Sequence, residues 1–398
     1  MLVTGASIAG PAVARGLNRA GFDVTLLERS VQQRETGQNI DIRGIGRDVI
    51  ERMGIRDEVM AHLTGEEGTR FVDDSGRPYA ELPRVEGEDG PTAEIEILRG
   101  RLAQILVDLL PDEIDLRYGD FISGVTQDAS GADVRFDSGA TERFDLVVVA
   151  EGRSSRTRRI LFDNETTYRD FGVSITYGTI DRLGTDTDFW DWYTATGGRV
   201  ASIRPDNEGT IRASMSFRSE PMGFERLPVE SQLSLLRARF RGTDWQTERI
   251  LDGFDAHPDE FYSQRMEQVV VSTWSKGRVV LLGDAAWGSG PTGMGTTLSL
   301  VGAYILAGEL TKTLTDGNDT YEKAFARYEN LLRGYADSAQ GLPPGGAKLL
   351  HPTSKLGRKG IRAMHRIAAS APVRKISKNH ITSEKHVPDL PDYGFVRV

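Results

Sequence analysis

The sequence predicts an α/β fold in which a parallel sheet of the dinucleotide-binding type is interrupted by an antiparallel insert and followed by C-terminal helices. Three observations predict it. An apolar strand over residues 2–4 runs into the turn Gly5-Ala6-Ser7-Ile8-Ala9-Gly10 and then a helix carrying Ala14 and Leu17. Two later buried-type strands, residues 144–150 and 277–282, each end in a glycine next to an acid, Glu151-Gly152 and Gly283-Asp284. Between them, residues 165–270 turn to alternating, aromatic-rich stretches.

Each element has a local reason. Gly5 permits the tight turn, and Gly10 lets helix and sheet pack closely. The amides of Ser7, Ile8, Ala9 and Gly10 at the helix start can receive a pyrophosphate. Gly21 ends the helix, and residues 22–27 form a second strand ending at Glu28-Arg29. Glu28 stands where a carboxylate accepts hydrogen bonds from both ribose hydroxyls of an adenosine and repels a 2′-phosphate, which favours FAD or NAD over NADP in this site. Ser7 in place of a middle glycine narrows the approach; an ordinary βαβ turn is the competing reading.

Residues 44–53 and 99–110 read as helices, and 114–116, 122–125 and 132–136 as strands, with a hairpin turn at Ser130-Gly131. In the insert, 168–177, 189–196, 199–203 and 211–217 read as antiparallel strands and 227–240 as a helix. Phe189, Trp192, Met215 and Trp287 are candidates to line an apolar substrate cavity, with core packing the commoner role for such residues. After Asp284 comes Trp287, then the glycine-rich run to Gly295 and a long helix over 296–314. That loop can present backbone amides to developing negative charge, and Asp284 is either a ligand to hydroxyls or a helix cap. The divisions expected are 1–164 and 271–340 for the nucleotide-binding domain, 165–270 for the substrate domain, and 341–398 for a basic helical extension.

Composition excludes several classes. With Cys 0 in 398 residues, there are no disulfides, cysteine nucleophiles, thiolate metal sites or cysteinyl flavin links. The six histidines have no metal-binding spacing, so no metal is expected. No apolar run approaches the roughly 20 residues of a membrane helix, and no leader precedes the first strand, so stable membrane insertion is not expected and a cytoplasmic location is. The net charge of -9 divides unevenly. Ten Lys/Arg against one acid between Lys348 and His386 leave -18 for the rest. An apolar face at Leu356, Ile361, Met364, Ile367 and Ala368 predicts that this piece, over 352–378 with an interruption at Pro372, docks on the acidic body rather than on nucleic acid.

Taken together, these motifs resemble the single-component FAD monooxygenases of the p-hydroxybenzoate hydroxylase fold, and most of all the branch holding tetracycline-inactivating and polyketide-tailoring enzymes. The resemblance implies non-covalent FAD. It places Gly5 to Gly10 on the pyrophosphate, Glu28 and Arg29 at the adenosine, and Arg99 at the phosphate and ribityl chain. Glu151-Gly152 with Ser155 and Arg158 matches the family's second signature and Gly283-Asp284 its third, while Pro291, Gly293, Met294, Gly295 and Thr296 match the loop under the flavin ring. Arg43, in the stretch 37–43, is placed near FAD or nicotinamide. Departures are Ser7 for glycine, Glu151 for aspartate, Trp287 for histidine, and Thr297 and Gly302 for asparagine and aspartate.

The family's chemistry implies NAD(P)H as reductant, with Glu28 silent on NADH versus NADPH because FAD claims it. It implies oxygen transfer from O₂ to an aromatic or polyketide-like small molecule through a flavin C4a-hydroperoxide, with no side chain required as the catalytic acid or base. Hydroxylation, epoxidation and Baeyer–Villiger outcomes share that route. A halogenase W-x-W-x-I-P pattern begins at Trp190-Asp191-Trp192-Tyr193 but fails at Thr194-Ala195. Competing classes are an FAD oxidoreductase without oxygen insertion and a non-redox, FAD-retaining binding or cyclase-like protein. A monomer or homodimer is expected.

Overall fold

The structure, a computed structural model, describes residues 1–33, 37–87, 89–90, 92–315, 319–342, 345–370, 373 and 386–394. Pro372 and the second half of the expected basic helix lie outside them, as do Pro343 and Pro344.

Valine- and leucine-rich inner strands, buried at most positions, build a six-stranded sheet with more exposed edges, ordered Ser275–Lys276, Val279–Leu281, Val147–Val149, Leu2–Thr4, Thr25–Glu28, Asp115–Tyr118. Its strands run parallel except for the edge pair Ser275–Lys276 with Val279–Leu281. The first strand pairs with Thr25–Glu28 on one side and Val147–Val149 on the other, so the chain order reverses there and a crevice opens at the C-terminal strand ends. The helices Ala9–Arg19 and Gly295–Thr315 pack against one another over this sheet.

A seven-stranded sheet forms the second layer, ordered Tyr262–Val271, Thr166–Asp181, Thr210–Arg218, Arg199–Pro205, Phe189–Thr194, Gly68–Val72, Pro78–Pro83. Its last two strands come from the stretch 68–83, so the insert at 165–270 does not supply this sheet alone. Tyr262–Val271 escapes sequence reading because Gln264, Arg265, Glu267 and Gln268 hide its strand character. The helices Val229–Phe240 and Thr247–Ala256 cover one face of this sheet, enclosing a second core around Ala201, Met215, Leu236 and Phe254.

Of the expected apolar face only Ile361 is buried, while Leu356, Met364 and Ile367 are exposed, and the C-terminal piece docks through two buried histidines as well. His351 Nε2 lies 2.8 Å from Ser216 Oγ. His365 stacks on Phe71 at 3.6 Å and meets Tyr79 Oη at 3.0 Å. The expected charge docking is present but narrow, with Arg358 and Arg362 both reaching Asp74. Among the described residues no helix is long and apolar enough to cross a membrane.

Candidate functional site

The three glycine turns meet at one edge of the parallel sheet. Gly5 N donates to Leu27 O, Ala150 N to Thr4 O, and Leu282 N to Val149 O, which brings the ends of four strands into line. Gly5 has φ +96, and a Cβ on it would stand 2.4 Å from Ala150 O. Gly283 has φ +65 and faces Ala9 across 3.1 Å and Ser299 Oγ across 3.2 Å, measured from where its Cβ would be. Only glycine leaves room for strand, turn and helix to meet here.

Glu28 is fixed at the mouth of the first turn. Its Oε2 accepts from Ala6 N at 2.8 Å and its Oε1 from Ser30 N at 2.9 Å. Carboxylate oxygens keep spare lone pairs for a ribose. Arg29 beside it is exposed, as is Pro291.

Among the described residues, the buried polar atoms on this edge without a partner include Asp284 Oδ1 and Arg99 Nε, together with Thr4 Oγ1 and Thr292 Oγ1. Burial pushes the Asp284 carboxyl upward, opposed by Arg153, Arg99 and Arg158. A buried acceptor and a buried cationic donor left open are what a ligand bearing hydroxyls and phosphates satisfies. Arg99 opens the helix Arg99–Asp108 and packs beneath Gly37, where a Cβ would meet Arg99 Nε at 2.9 Å. Asp284 borders Gly295, whose Cβ position lies 3.5 Å from Asp284 Oδ1. Thr296 is buried behind that loop, Met294 is half-buried, and Gly293, at φ +74, has Arg43 Nε 3.8 Å from its Cβ position. The residues present fit FAD; when bound, it would be held by Glu28 at the adenosine, the first turn and Arg99 at the phosphates, Asp284 at the ribityl chain and the 291–296 loop at the ring.

The second signature acts partly as a bracket. Glu151 accepts from Ser155 Oγ at 2.7 Å and Thr157 Oγ1 at 2.6 Å, while the fully buried Arg158 donates to Ala285 O at 3.0 Å. These bonds tie the turn after Val147–Val149 to the short helix Asp284–Trp287 that starts with Asp284. Gly152 itself, at φ +75, faces open space.

The substrate-lining expectations divide. Opposed residues in an antiparallel sheet share a face. Trp192, Ser202, Ser214, Tyr177 and Tyr262 form one such row, on the face that also meets Gln38 through Tyr262 and the C-terminal piece through Phe71 and Ser216. Trp192 stands there 4.8 Å from Trp190, its Nε1 buried without a partner. Met215 lies opposite Ala201 and Thr176 on the other face, within the helix-covered core, and Phe189 shares that face under Arg70. The strand period of two thus corrects both assignments. Trp287 is also corrected, since it packs at 4.4 Å from Trp274 and 6.1 Å from Tyr328 inside the first core. Its ring fills the space a side chain at Gly302 would need, a Cβ there meeting the indole at 2.9 Å, so those two departures from the family are one packing solution.

Sequence reading missed Asn39, Glu66, Glu96, Arg204 and Ser216, all buried polar residues facing this interior. In a chain that is 27% charged, nothing local separates a buried acid from a solvated one. Among the described residues no group of three or more His, Asp or Glu is placed to hold a metal ion.

Fold and site together define a flavoprotein with an inserted sheet beside a nucleotide cradle. A family model described as "FAD binding domain" matches residues 1–330. The flavin-dependent monooxygenase eupH of Phoma sp is 35% identical over 99% of this chain and 97% of its own. A flavin-dependent monooxygenase of Legionella longbeachae serogroup 1 (strain NSW150) is 37% identical over 85% of this chain and 86% of its own. The crystal structure of tetracycline destructase Tet(55) superposes with a TM-score of 0.79 at 32% identity, covering 98% of both chains. The chain belongs to the single-component FAD-dependent monooxygenase family, and it binds FAD.

Proposed function

We propose that this protein inserts one oxygen atom from O₂ into an aromatic or polyketide-like small molecule, with NAD(P)H as reductant. The observation that carries the reading is the pairing of an FAD cradle with a sheet face that offers an indole and hydroxyls in one row, Trp192, Ser202, Ser214, Tyr177 and Tyr262. Reduced FAD, when bound, supplies the activation of O₂; one oxygen atom goes to substrate, the other leaves as water, and the nicotinamide supplies the two electrons. The residues of this chain do the rest. Trp190 and Trp192 offer aromatic faces to a planar substrate, and the free indole N–H of Trp192 donates to a substrate oxygen. Tyr177 and Tyr262, stacked at 5.1 Å, stay un-ionised because burial raises both phenols; the Tyr262 hydroxyl donates to Gln38 Oε1, which leaves Tyr177 as the donor of a neutral hydrogen bond to substrate. The C-terminal piece, held by His351 and His365, closes the face and excludes water. The similarity to tetracycline destructases supports tetracycline-like polyketides as the first substrates to try.

The test is to follow NADH and NADPH oxidation, oxygen uptake and product mass with phenols and tetracyclines. Substrate-stimulated flavin reduction with a product heavier by one oxygen atom is expected. Reduction without an oxygenated product would replace this reading with that of a non-inserting FAD oxidoreductase.

A further inference from the structure

The strands Asn39–Ile42 and Ile95–Leu98 form an antiparallel ribbon in which Asp41 stands directly opposite Glu96. Like charges so placed repel. A third carboxylate, Glu66, is buried beside them, and all three share Arg204 from the substrate sheet. Arg204 Nε donates to Glu66 Oε2 at 2.5 Å, and Nη2 donates to Glu96 Oε2 and lies 3.4 Å from Asp41 Oδ1. Glu96 Oε1 also accepts from Asn39 at 2.6 Å and Thr64 at 2.7 Å. Trp190 lies over the Arg204 guanidinium at 4.1 Å. Asp41 in turn accepts from Arg43 Nη2 at 2.6 Å, and Arg43 borders Gly293 of the flavin loop.

With every group ionised, Asp41, Glu66 and Glu96 outnumber Arg204 and Arg43 by one negative charge, and a buried excess charge is costly. One proton cancels it. The charged groups facing Glu96 are Arg204 from the sheet, Glu66 from the loop before it and Asp41 from the partner strand, and burial together with the two acids pushes Glu96 up to about 8 against the pull of Arg204. Apolar side chains would join ribbon and sheet at lower cost. The ribbon's two ends continue into Arg43 at the flavin loop and Arg99 at the open phosphate-side site.

We propose that Asp41, Glu66, Glu96 and Arg204 are positioning residues that hold a single proton and thereby set the net charge presented, through Arg43, to the flavin ring. The proposal rests on the FAD reading above. Loss of the proton to solvent leaves one more negative charge beside the loop and makes the flavin harder to reduce. By linkage, reduction favours keeping the proton.

The test has two parts. First, infrared spectra of the chain as purified: a protonated-carboxyl band present at about pH 7 and lost above about pH 9 is expected in the native protein, and Glu96→Gln removes it. No such band at neutral pH overturns the proposal, whether or not the variant folds. Second, the reduction potential of the FAD-loaded protein is measured from about pH 6 to about pH 10 in native and Glu96→Gln forms. The curves should coincide at the acid end and separate at the alkaline end, the native falling lower; the flavin's own proton is common to both and drops out. Parallel curves overturn the proposal, even if Glu96→Gln lowers thermal stability, because a purely structural role moves only the latter. A chain that shows the band but no flavin spectrum would instead refute the FAD reading.

Discussion

Gly10 sits so tightly under the first turn that a Cβ on it would stand 1.8 Å from the Gly5 carbonyl oxygen. Backbone cannot retreat from such an overlap without opening the turn. Gly10→Ala is therefore expected to abolish FAD retention, read as the loss of the flavin absorbance that co-elutes with the protein on gel filtration.

Asp284 separates cofactor binding from stability. Its buried Oδ1 has no partner among the described residues. Removing it takes away a charged acceptor for the ribityl chain, so Asp284→Ala should weaken FAD binding by about 2 kcal/mol, roughly 30-fold. The FAD-free protein should melt at the same or a higher temperature, because a desolvated carboxyl has gone. Fluorescence titration with FAD and thermal melts check the two halves.

Trp192 and Met215 test the assignment of faces. Met215→Ala empties a packed core and should cost about 2–5 kcal/mol of stability with substrate preference unchanged. Trp192→Ala should cost about fivefold or more in kcat/KM and leave melting nearly unchanged. Denaturant unfolding and steady-state kinetics on both variants distinguish them.

His365 makes the docking of the C-terminal helix Lys355–Ala369 sensitive to acid. Burial lowers its imidazole to about 4 from the usual 6.5. A folded state that resists protonation loses stability as pH falls from 6.5 towards 4. His365→Phe should flatten the melting temperature across that window.

Glu96 has the opposite slope. Its folded value of about 8 lies above the ordinary 4.5, so the folded protein holds a proton that the unfolded chain releases. Its contribution to stability should fall as pH rises from 4.5 through 8, and Glu96→Gln should remove that part of the slope in melts across pH.

The nucleotide cradle was legible because its requirements are local. Gly5, Gly10, Gly283 and Asp284 each follow a strand end within a few residues and Glu28 closes a strand; positive φ selects Gly5 and Gly283, and close backbone approach selects Gly10. The faces of the second sheet were not legible: Trp192 lies on one face and Phe189 and Met215 on the reverse, since one residue of register decides a strand's face. Aromatic content told nothing of Trp287, whose setting depends on Gly302, fifteen positions away, and on Trp274.

By itself the sequence determined the parallel sheet, the glycine turns, the order of the three signatures and the absence of cysteine chemistry, because each is written in neighbouring residues. Only the tertiary structure decided which carboxylates are buried. Asp41, Glu66 and Glu96 come from separate segments, and Arg204 comes from far along the chain. Their meeting depends on how the ribbon docks on the second sheet, and the energy of a charge is set by what surrounds it in space.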